Sequence, residues 1–300
     1  PTRSALMTGR HPIRTGALQS VPAGLPQGIH PWEKTLPQVL KVAGYETAMF
    51  GKWHLGVDWV LKEAFKDSIH PSYNKDNMYG IKDEMNPNQI NFDQAPTAGP
   101  LSQGFDYSYI MAATQDRVPT IYIDNGKVVN LDSKDPISVN YDKNFPGQPT
   151  GKENPELLSM KWHHGHNSSI VNGIPRIGYV SGGASANWSD VDLADDFLAK
   201  AQTYVKTHKD NPFFLYYALN QPHVPRTPNP RFVGKSGMGP RGDVILEADY
   251  CVGEIIKTLK EEGVLDNTLI VFSSDNGPVL NDGYYDDAVE KLGNHKPNGP

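Results

Sequence analysis

The second half of the chain alternates helical patterns with short apolar runs. One helical pattern, with Ser189-Asp190 as its expected cap, continues to about residue 208, and another covers residues 243–262. Each is followed by a continuous apolar run, at residues 213–219 and 268–273, which is typical of a strand buried on both faces. Helices and strands in alternation predict an α/β fold with a mostly parallel sheet sandwiched by helices.

The beginning of the chain carries the same pattern once. Residues 35–37 predict a helix start with an early proline, and Gly44 is expected to end that helix. A short strand over residues 47–50 then leads to Lys52 and His54. Because alternate residues of an extended chain point the same way, these two side chains are expected to leave one face.

The middle of the chain, from about residue 57 to residue 186, is rich in Asn, Asp, Pro and Gly. This composition predicts a long irregular insertion of loops and short strands, suited to a substrate lid. Residues 121–129 place apolar runs on either side of Asp-Asn-Gly, which predicts a β-hairpin.

Composition restricts the partners that the chain can take. Its 300 residues are 38% hydrophobic and 21% charged, and the sequence predicts no membrane span. A net charge of −6 argues against nucleic acid and against an anionic membrane surface, since both need a basic field. The single cysteine, Cys251, excludes an internal disulfide and is predicted to be a buried apolar residue.

Polar residues follow three of the predicted strands. Lys52 and His54 follow the first, His223 follows the second, and Asp275-Asn276 follow the third. Ligands of such sheets collect beyond the carboxyl ends of the strands, so these residues are expected to meet at one edge.

Lys52 and His54 combine a fixed charge with a nitrogen that titrates near neutral pH. Together they suit an anion that carries a proton to be moved. Judged alone, a solvated loop explains the pair equally well. A pocket for an anion would have to be locally positive within this acidic chain.

Asp275 and Asn276 offer two hard oxygen donors on a turn. Such donors fit calcium better than zinc, which favours imidazole or thiolate. An ordinary Asn-Gly turn is the alternative.

Three histidines, His163, His164 and His166, stand close together in the middle region. They are compatible with a metal site, with an exposed loop, or with contacts to a substrate. We carry His164 and His166 forward as candidate substrate-binding residues, together with Asp116, which shortly precedes Val118-Pro119.

Four separated segments resemble the sulfatases that use a formylglycine nucleophile, which have an alkaline-phosphatase-like fold. The segments are PTRSALMTGR at the start of the chain, GYETAMFGKWHLG at residues 44–56, PHVPRTP at residues 222–228, and LIVFSSDNGP at residues 269–278. They stand in the order of that family. The opening segment resembles the nucleophile signature entered two residues late, so the nucleophilic Cys or Ser is expected upstream of Pro1.

The resemblance implies a reaction and roles for individual residues. Arg3 and Lys52 would hold the sulfate, His223 would protonate the leaving alcohol, and His54 would accept a proton when sulfate is expelled from a covalent formylglycine-sulfate intermediate. Asp275 and Asn276 would bind one Ca²⁺ ion, with two further acidic ligands upstream of Pro1. The implied substrate is a sulfate ester. Aromatic and polar residues of the middle region are suited to stacking on sugar rings and make a sulfated carbohydrate the first choice.

The resemblance also implies the extent and setting of the protein. Residues 1–300 are expected to be an incomplete N-terminal catalytic domain that lacks a smaller C-terminal subdomain and is inactive by itself. A formylglycine-generating maturation enzyme is an expected partner, and a periplasmic or secreted location is expected. Two alternatives stay open: a phosphonate or phosphate monoester hydrolase of the same superfamily, and a non-catalytic protein that binds sulfated glycans.

Overall fold

The structure is a computed structural model that describes residues 1–17, 28–66 and 89–292. Its strands and helices are short except for two long helices in the second half. The strands are β1 (Glu46–Lys52), β2 (Tyr107–Met111), β3 (Ile123–Asp124), β4 (Lys127–Val128), β5 (Ser138–Asn140), β6 (Ile170–Val171), β7 (Ile174–Pro175), β8 (Tyr179–Ser181) and β9 (Phe213–Ala218). The helices are α1 (Thr2–Thr8), α2 (Pro12–Thr15), α3 (Leu36–Val42), α4 (Leu193–His208), α5 (Gly239–Glu261) and α6 (Ala288–Leu292).

A five-stranded sheet in the order β4-β3-β2-β1-β9 forms the centre of the fold. Strand β1 runs parallel to both of its neighbours, β2 and β9, whereas β3 and β4 join as an antiparallel edge. The expected mostly parallel sheet is therefore mixed, and the α/β prediction is confirmed.

The two faces of β1 pack into two separate hydrophobic clusters. Ala48 and Phe50 face Phe197 and Tyr204 of α4. Met49 lies on the opposite side, in a cluster that includes Met7 of α1 and residues of the middle region. This alternation is the two-residue period of a strand that is covered on both faces.

Helix α5 packs outside α4, where Cys251 is fully buried beside Ala194 and Leu198. The prediction of a buried apolar cysteine is confirmed. Among the described residues, no helix is long and apolar enough to cross a membrane.

Helix α4 begins at Leu193, later than the predicted cap at Ser189-Asp190. The carboxylate of Asp190 is used elsewhere: it accepts a hydrogen bond of 2.6 Å from Arg176 and one of 2.9 Å from Asn172. Helix α5 begins at Gly239, earlier than predicted, and has a proline in its first turn. The helix predicted after residue 35 is observed as α3.

The strand predicted at residues 268–273 is absent, which corrects the sequence interpretation. These residues pair with no described strand, and the side chains of Leu269 and Phe272 are 88% and 76% exposed. The neighbouring run is observed as β9, but β9 is the last strand of the described sheet and most of its side chains are only half-buried. An apolar run is fully buried only where other elements of the fold cover it. Among the described residues, β9 has a neighbouring strand along one edge only.

The middle region contributes more to the sheet than its composition predicts. Strands β2, β3 and β4 come from residues 57–186 and join β1, whereas β5 with β8 and β6 with β7 form two small separate pairs. The predicted hairpin is observed as β3 and β4, and Asn125 and Gly126 at its tip both have positive φ.

Candidate functional site

Strand β1 ends at Lys52, at the carboxyl edge of the sheet. Just before it, Gly51 has φ 96°, and a Cβ at this position would lie 2.1 Å from the carbonyl oxygen of Ala218 on β9. Only glycine lets the two strands approach this closely at that φ. The glycine therefore fixes where β1 delivers Lys52.

The side chain of Lys52 is buried, with 6% of the residue exposed. Burial, followed by the nearby charge of Arg3, lowers its pKa to about 8, even though Asp275 and Asp116 oppose the shift. Lys52 thus keeps most of its charge at neutral pH in a place where an anion would be strongly attracted.

Arg3, in the first turn of α1, joins three separate segments. Its Nη1 donates to the main-chain carbonyl of Lys52 at 2.8 Å and to the hydroxyl of Tyr216 at 3.3 Å. Its Nε donates to the carboxylate of Asp275 at 3.0 Å. The guanidinium is thereby held in one orientation beside Lys52.

Asp275 is half-buried and Asn276 is exposed. Burial would raise the pKa of Asp275, but the charges of Arg3, Lys52 and His223 outweigh it and hold the pKa below its usual range. The side-chain amide of Asn276 donates to the carbonyl of Gly277 at 2.8 Å, which leaves its oxygen as the group that a cation would use.

His54 lies two residues beyond Lys52 and adopts φ 56°, outside the extended region. Its Nε2 is buried and has no hydrogen-bond partner among the described residues. Burial lowers the pKa of His54 well below its usual range, and the charges of Lys52, His223 and Arg3 act in the same direction. His54 is therefore a neutral imidazole that can accept a proton.

His223 lies between two cis peptide bonds, Gln221-Pro222 and Val224-Pro225. Its Nδ1 lies 2.8 Å from the carbonyl oxygen of Val224. The main-chain carbonyl of His223 accepts a hydrogen bond of 2.9 Å from the side-chain amide of Gln115. Burial and the charge of Lys52 lower the pKa of His223, whereas Asp116 acts against them.

Asp116 and His166 are both buried and lie 3.0 Å apart, from Oδ2 to Nε2. Burial alone would raise the pKa of Asp116, but His223, His166 and Arg117 outweigh it and hold the pKa far below its usual range. The side chain of His164 is exposed, and its Nδ1 lies 2.6 Å from Nδ1 of His163. Only the main-chain carbonyl of His164 contacts the pair of Asp116 and His166, at 3.0 Å from Nδ1 of His166.

The structure thus brings seven of the nine candidate residues into one electrostatically connected cluster. These are Arg3, Lys52, His54, Asp116, His166, His223 and Asp275. Asn276 is next to the cluster in sequence but exposed, and the ring of His164 lies outside it. Across the described ranges, no group of three or more His, Cys, Asp or Glu side chains is arranged to hold a metal ion.

Arg117 was not among the residues predicted from the sequence. Its Nε is buried without a hydrogen-bond partner in the described part of the chain and lies 3.9 Å from Oδ1 of Asp116. Its charge contributes to lowering the pKa values of Lys52 and His54. The sequence offered one signal for Arg117, its position directly after the candidate residue Asp116. Its proximity to Lys52 and His54 could not be read from the sequence, because the end of β1 and the loop after β2 meet only in the folded sheet.

The sulfatase family profile matches residues 1–298. The chain belongs to the sulfatase family. This membership confirms the family resemblance and, with the fold described above, the expected α/β fold of the alkaline-phosphatase-like superfamily.

Two curated relatives show how far the similarity extends. An N-acetylgalactosamine-6-O-sulfatase of Bacteroides thetaiotaomicron is 44% identical over 299 residues, which are 100% of this chain and 53% of that protein. Human arylsulfatase A is 29% identical over 281 residues, which are 93% of this chain and 42% of that protein. The chain therefore spans about half the length of the curated relatives it matches.

Solved structures agree with this relationship. A Bacteroides thetaiotaomicron protein, from work on the metabolism of multiple glycosaminoglycans, has a TM-score of 0.85 at 44% identity, over 99% of this chain and 56% of that chain. A sulfatase from Pseudoalteromonas has a TM-score of 0.53 at 22% identity, over 92% of this chain and 44% of that chain, and shows the fold alone.

Proposed function

We propose that this protein hydrolyses sulfate esters of a sulfated carbohydrate and releases inorganic sulfate. Family membership supports sulfuric ester hydrolysis, and the 44% identical relative, named for N-acetylgalactosamine 6-O-sulfate, supports a sulfated sugar. The observation that carries the proposal is the meeting of Arg3, Lys52, His54 and His223, from three distant segments, beyond the carboxyl edge of the sheet.

In this proposal the cations of the cluster bind the sulfate group. Arg3 is fixed by its hydrogen bonds to Lys52, Tyr216 and Asp275, so it does not have to be ordered when substrate arrives. Lys52 adds a second buried charge. Fixed charges in a low-dielectric site stabilise the charge that develops as the ester bond breaks.

The two histidines have opposite tasks. Nδ1 of His223 is hydrogen-bonded to the carbonyl of Val224, so Nε2 is the nitrogen that remains to give a proton to the leaving alcohol. His54 is neutral, with an unpartnered Nε2, and takes up a proton in the step that frees sulfate. An acid and a base side by side suit a reaction in two proton-transfer steps.

The proposal includes a formylglycine nucleophile, derived from a Cys or Ser two residues before Pro1 by a maturation enzyme. Such a group would supply a covalent nucleophile toward sulfur. The described residues fit this placement, because Pro1 has Asp275, Arg3 and Lys52 as its charged neighbours. A residue that precedes Pro1 would therefore stand beside the cations that hold the sulfate.

The proposal also includes one Ca²⁺ ion held by Asp275 and Asn276. An ionised carboxylate and an amide oxygen fit a hard cation in kind, but Ca²⁺ takes six to eight oxygen ligands. The remaining ligands have to come from beyond the described residues. When bound, the ion would neutralise charge on the sulfate oxygens.

We extend the proposal, on the family resemblance, to a periplasmic or secreted location.

The test is a desulfation screen with the full-length, matured protein. We expect sulfate release from N-acetylgalactosamine 6-sulfate or another defined sulfated saccharide, and loss of that release in H223A and K52A. Faster turnover of an aryl phosphonate than of an aryl sulfate would instead identify a phosphonate monoester hydrolase. Saccharide binding by calorimetry, without release of sulfate from any substrate, would identify a glycan-binding protein.

A further inference from the structure

The hydrogen bonds of His166 define its charge. Its Nδ1 lies 3.0 Å from the carbonyl of His164, and its Nε2 lies 3.0 Å from the carboxylate of Asp116. A carbonyl oxygen only accepts, so Nδ1 carries a proton. The carboxylate also accepts a hydrogen bond from the hydroxyl of Thr114, as an ionised group does, so Nε2 carries a proton as well. His166 is therefore an imidazolium.

The surroundings of His166 hold the ring in this orientation. The ring of Tyr284 packs against it with 4.7 Å between the centroids. On another side, a Cβ at Gly283 would lie 1.9 Å from Nδ1, so only glycine leaves room for the ring. Burial would lower the pKa of His166, but the hydrogen bond and charge of Asp116 raise it above its usual range. The result is a buried, fixed ion pair of Asp116 and His166.

The ion pair lies next to His223. The side chain of Gln115, the residue before Asp116, donates a hydrogen bond of 2.9 Å to the main-chain carbonyl of His223. This bond links the segment that carries Asp116 to the segment that carries His223. The titratable groups around His223 are Lys52 and the neutral His54 from the end of β1, Asp116 from the loop after β2, and Asp275 and Asp282 from the last described loop. Burial and Lys52 both favour a neutral His223, and Asp116 is the foremost group that opposes them.

We propose that Asp116, held ionised and oriented by His166, is a positioning residue that favours the protonated form of His223, the form that donates to the leaving alcohol. The inference rests on the proposed function. In the step concerned, the bond from sulfur to the leaving oxygen breaks, its electron pair stays on that oxygen, and the oxygen takes the proton from Nε2 of His223. The histidine ends the step neutral.

The consequence depends on the leaving group. A sugar alkoxide is a poor leaving group and needs the proton, whereas 4-nitrophenolate leaves without help. General-acid catalysis contributes roughly 10²–10⁴-fold where it is needed. D116N should therefore lower kcat/KM for N-acetylgalactosamine 6-sulfate at pH 8 by at least about tenfold, and for 4-nitrophenyl sulfate by less than about threefold. The alkaline limb of the sugar-sulfate profile should also move to lower pH.

The matched control is D190N in the full-length protein. Asp190 is also a buried aspartate in an ion pair, 2.6 Å from Arg176, but it is not among the main charges that act on His223. D190N should lower stability and leave the pH profile and the ratio of the two substrates unchanged. Equal losses on both substrates in D116N, or an unmoved alkaline limb, would overturn the proposal.

Imidazole NMR gives a second measurement that does not need turnover. In the wild-type protein, His166 should carry protons on both ring nitrogens at pH 7, and the titration midpoint of His223 should fall in D116N but not in D190N. If D116N does not fold, a neutral His166 in the wild-type spectrum would still overturn the ion pair. If the wild-type protein releases no sulfate, the proposed function fails, while the NMR result judges the inference separately.

Discussion

The guanidinium of Arg3 donates a hydrogen bond of 2.8 Å to the main-chain carbonyl of Lys52. The same guanidinium binds the carboxylate of Asp275, so the start of the chain, the end of β1 and the last described loop share one side chain. The planar guanidinium, a fork of N–H groups, donates hydrogen bonds in several fixed directions at once, which the ammonium group of a lysine cannot reproduce. The geometry of the site therefore depends on arginine at this position, and a positive charge alone is not enough.

R3K should lower kcat/KM for a sulfated substrate by at least about tenfold, because the charge is kept but the fork is lost. The measurement is steady-state kinetics of the full-length protein. R10K is the control: Arg10, just beyond the end of α1, is half-exposed and lies 2.7 Å from the buried carboxylate of Glu33. Its replacement by lysine keeps the charge and should change the rate by less than about twofold. Similar rates for R3K and wild type would contradict the role of the fork.

G51A should destabilise the fold by about 2–4 kcal/mol, since the added methyl group meets the backbone of β9 and the residue sits at φ 96°. G44A separates the two causes. Gly44 has φ 88° but a Cβ there meets nothing within 4 Å, so only the conformational cost of about 1–2 kcal/mol is expected. Denaturant unfolding measures both, and equal losses would contradict a steric role for Gly51.

The sequence predicted those parts of the site that local pattern determines. A short strand after a helix, ended by glycines, located Lys52 and His54 correctly at the end of β1. Asp190 was misassigned as part of a helix cap because its partner, Arg176, is distant in sequence and a cap motif describes only neighbours. Residues 268–273 have the composition of a buried strand, but burial depends on partners that composition does not contain.

Arg117 could not be predicted for a related reason. Its effect on Lys52 and His54 exists only because β1 and β2 are adjacent in the sheet. R117Q should raise the pKa values of both residues, since the guanidinium lowers both, and should raise KM for sulfated substrates several-fold. Imidazole NMR of His54 and steady-state kinetics measure these effects. R14Q, which removes the same charge from an exposed site on α2, should change neither, and an unchanged His54 titration in R117Q would contradict the contact.

The buried charge of Lys52 should make stability depend on pH with a definite sign. Its pKa falls from 10.5 to about 8 on folding, so between these values the unfolded chain binds more protons than the native state. The penalty on the native state is therefore fully present below pH 8 and disappears as the pH rises toward 10.5. K52M removes the titrating group while keeping an apolar stem of similar length. Relative to wild type, its advantage in free energy of unfolding should shrink by about 3 kcal/mol across this window. Urea unfolding of both proteins between pH 7.5 and pH 10 measures the difference, and a constant difference would mean that Lys52 keeps an ordinary pKa in the folded protein.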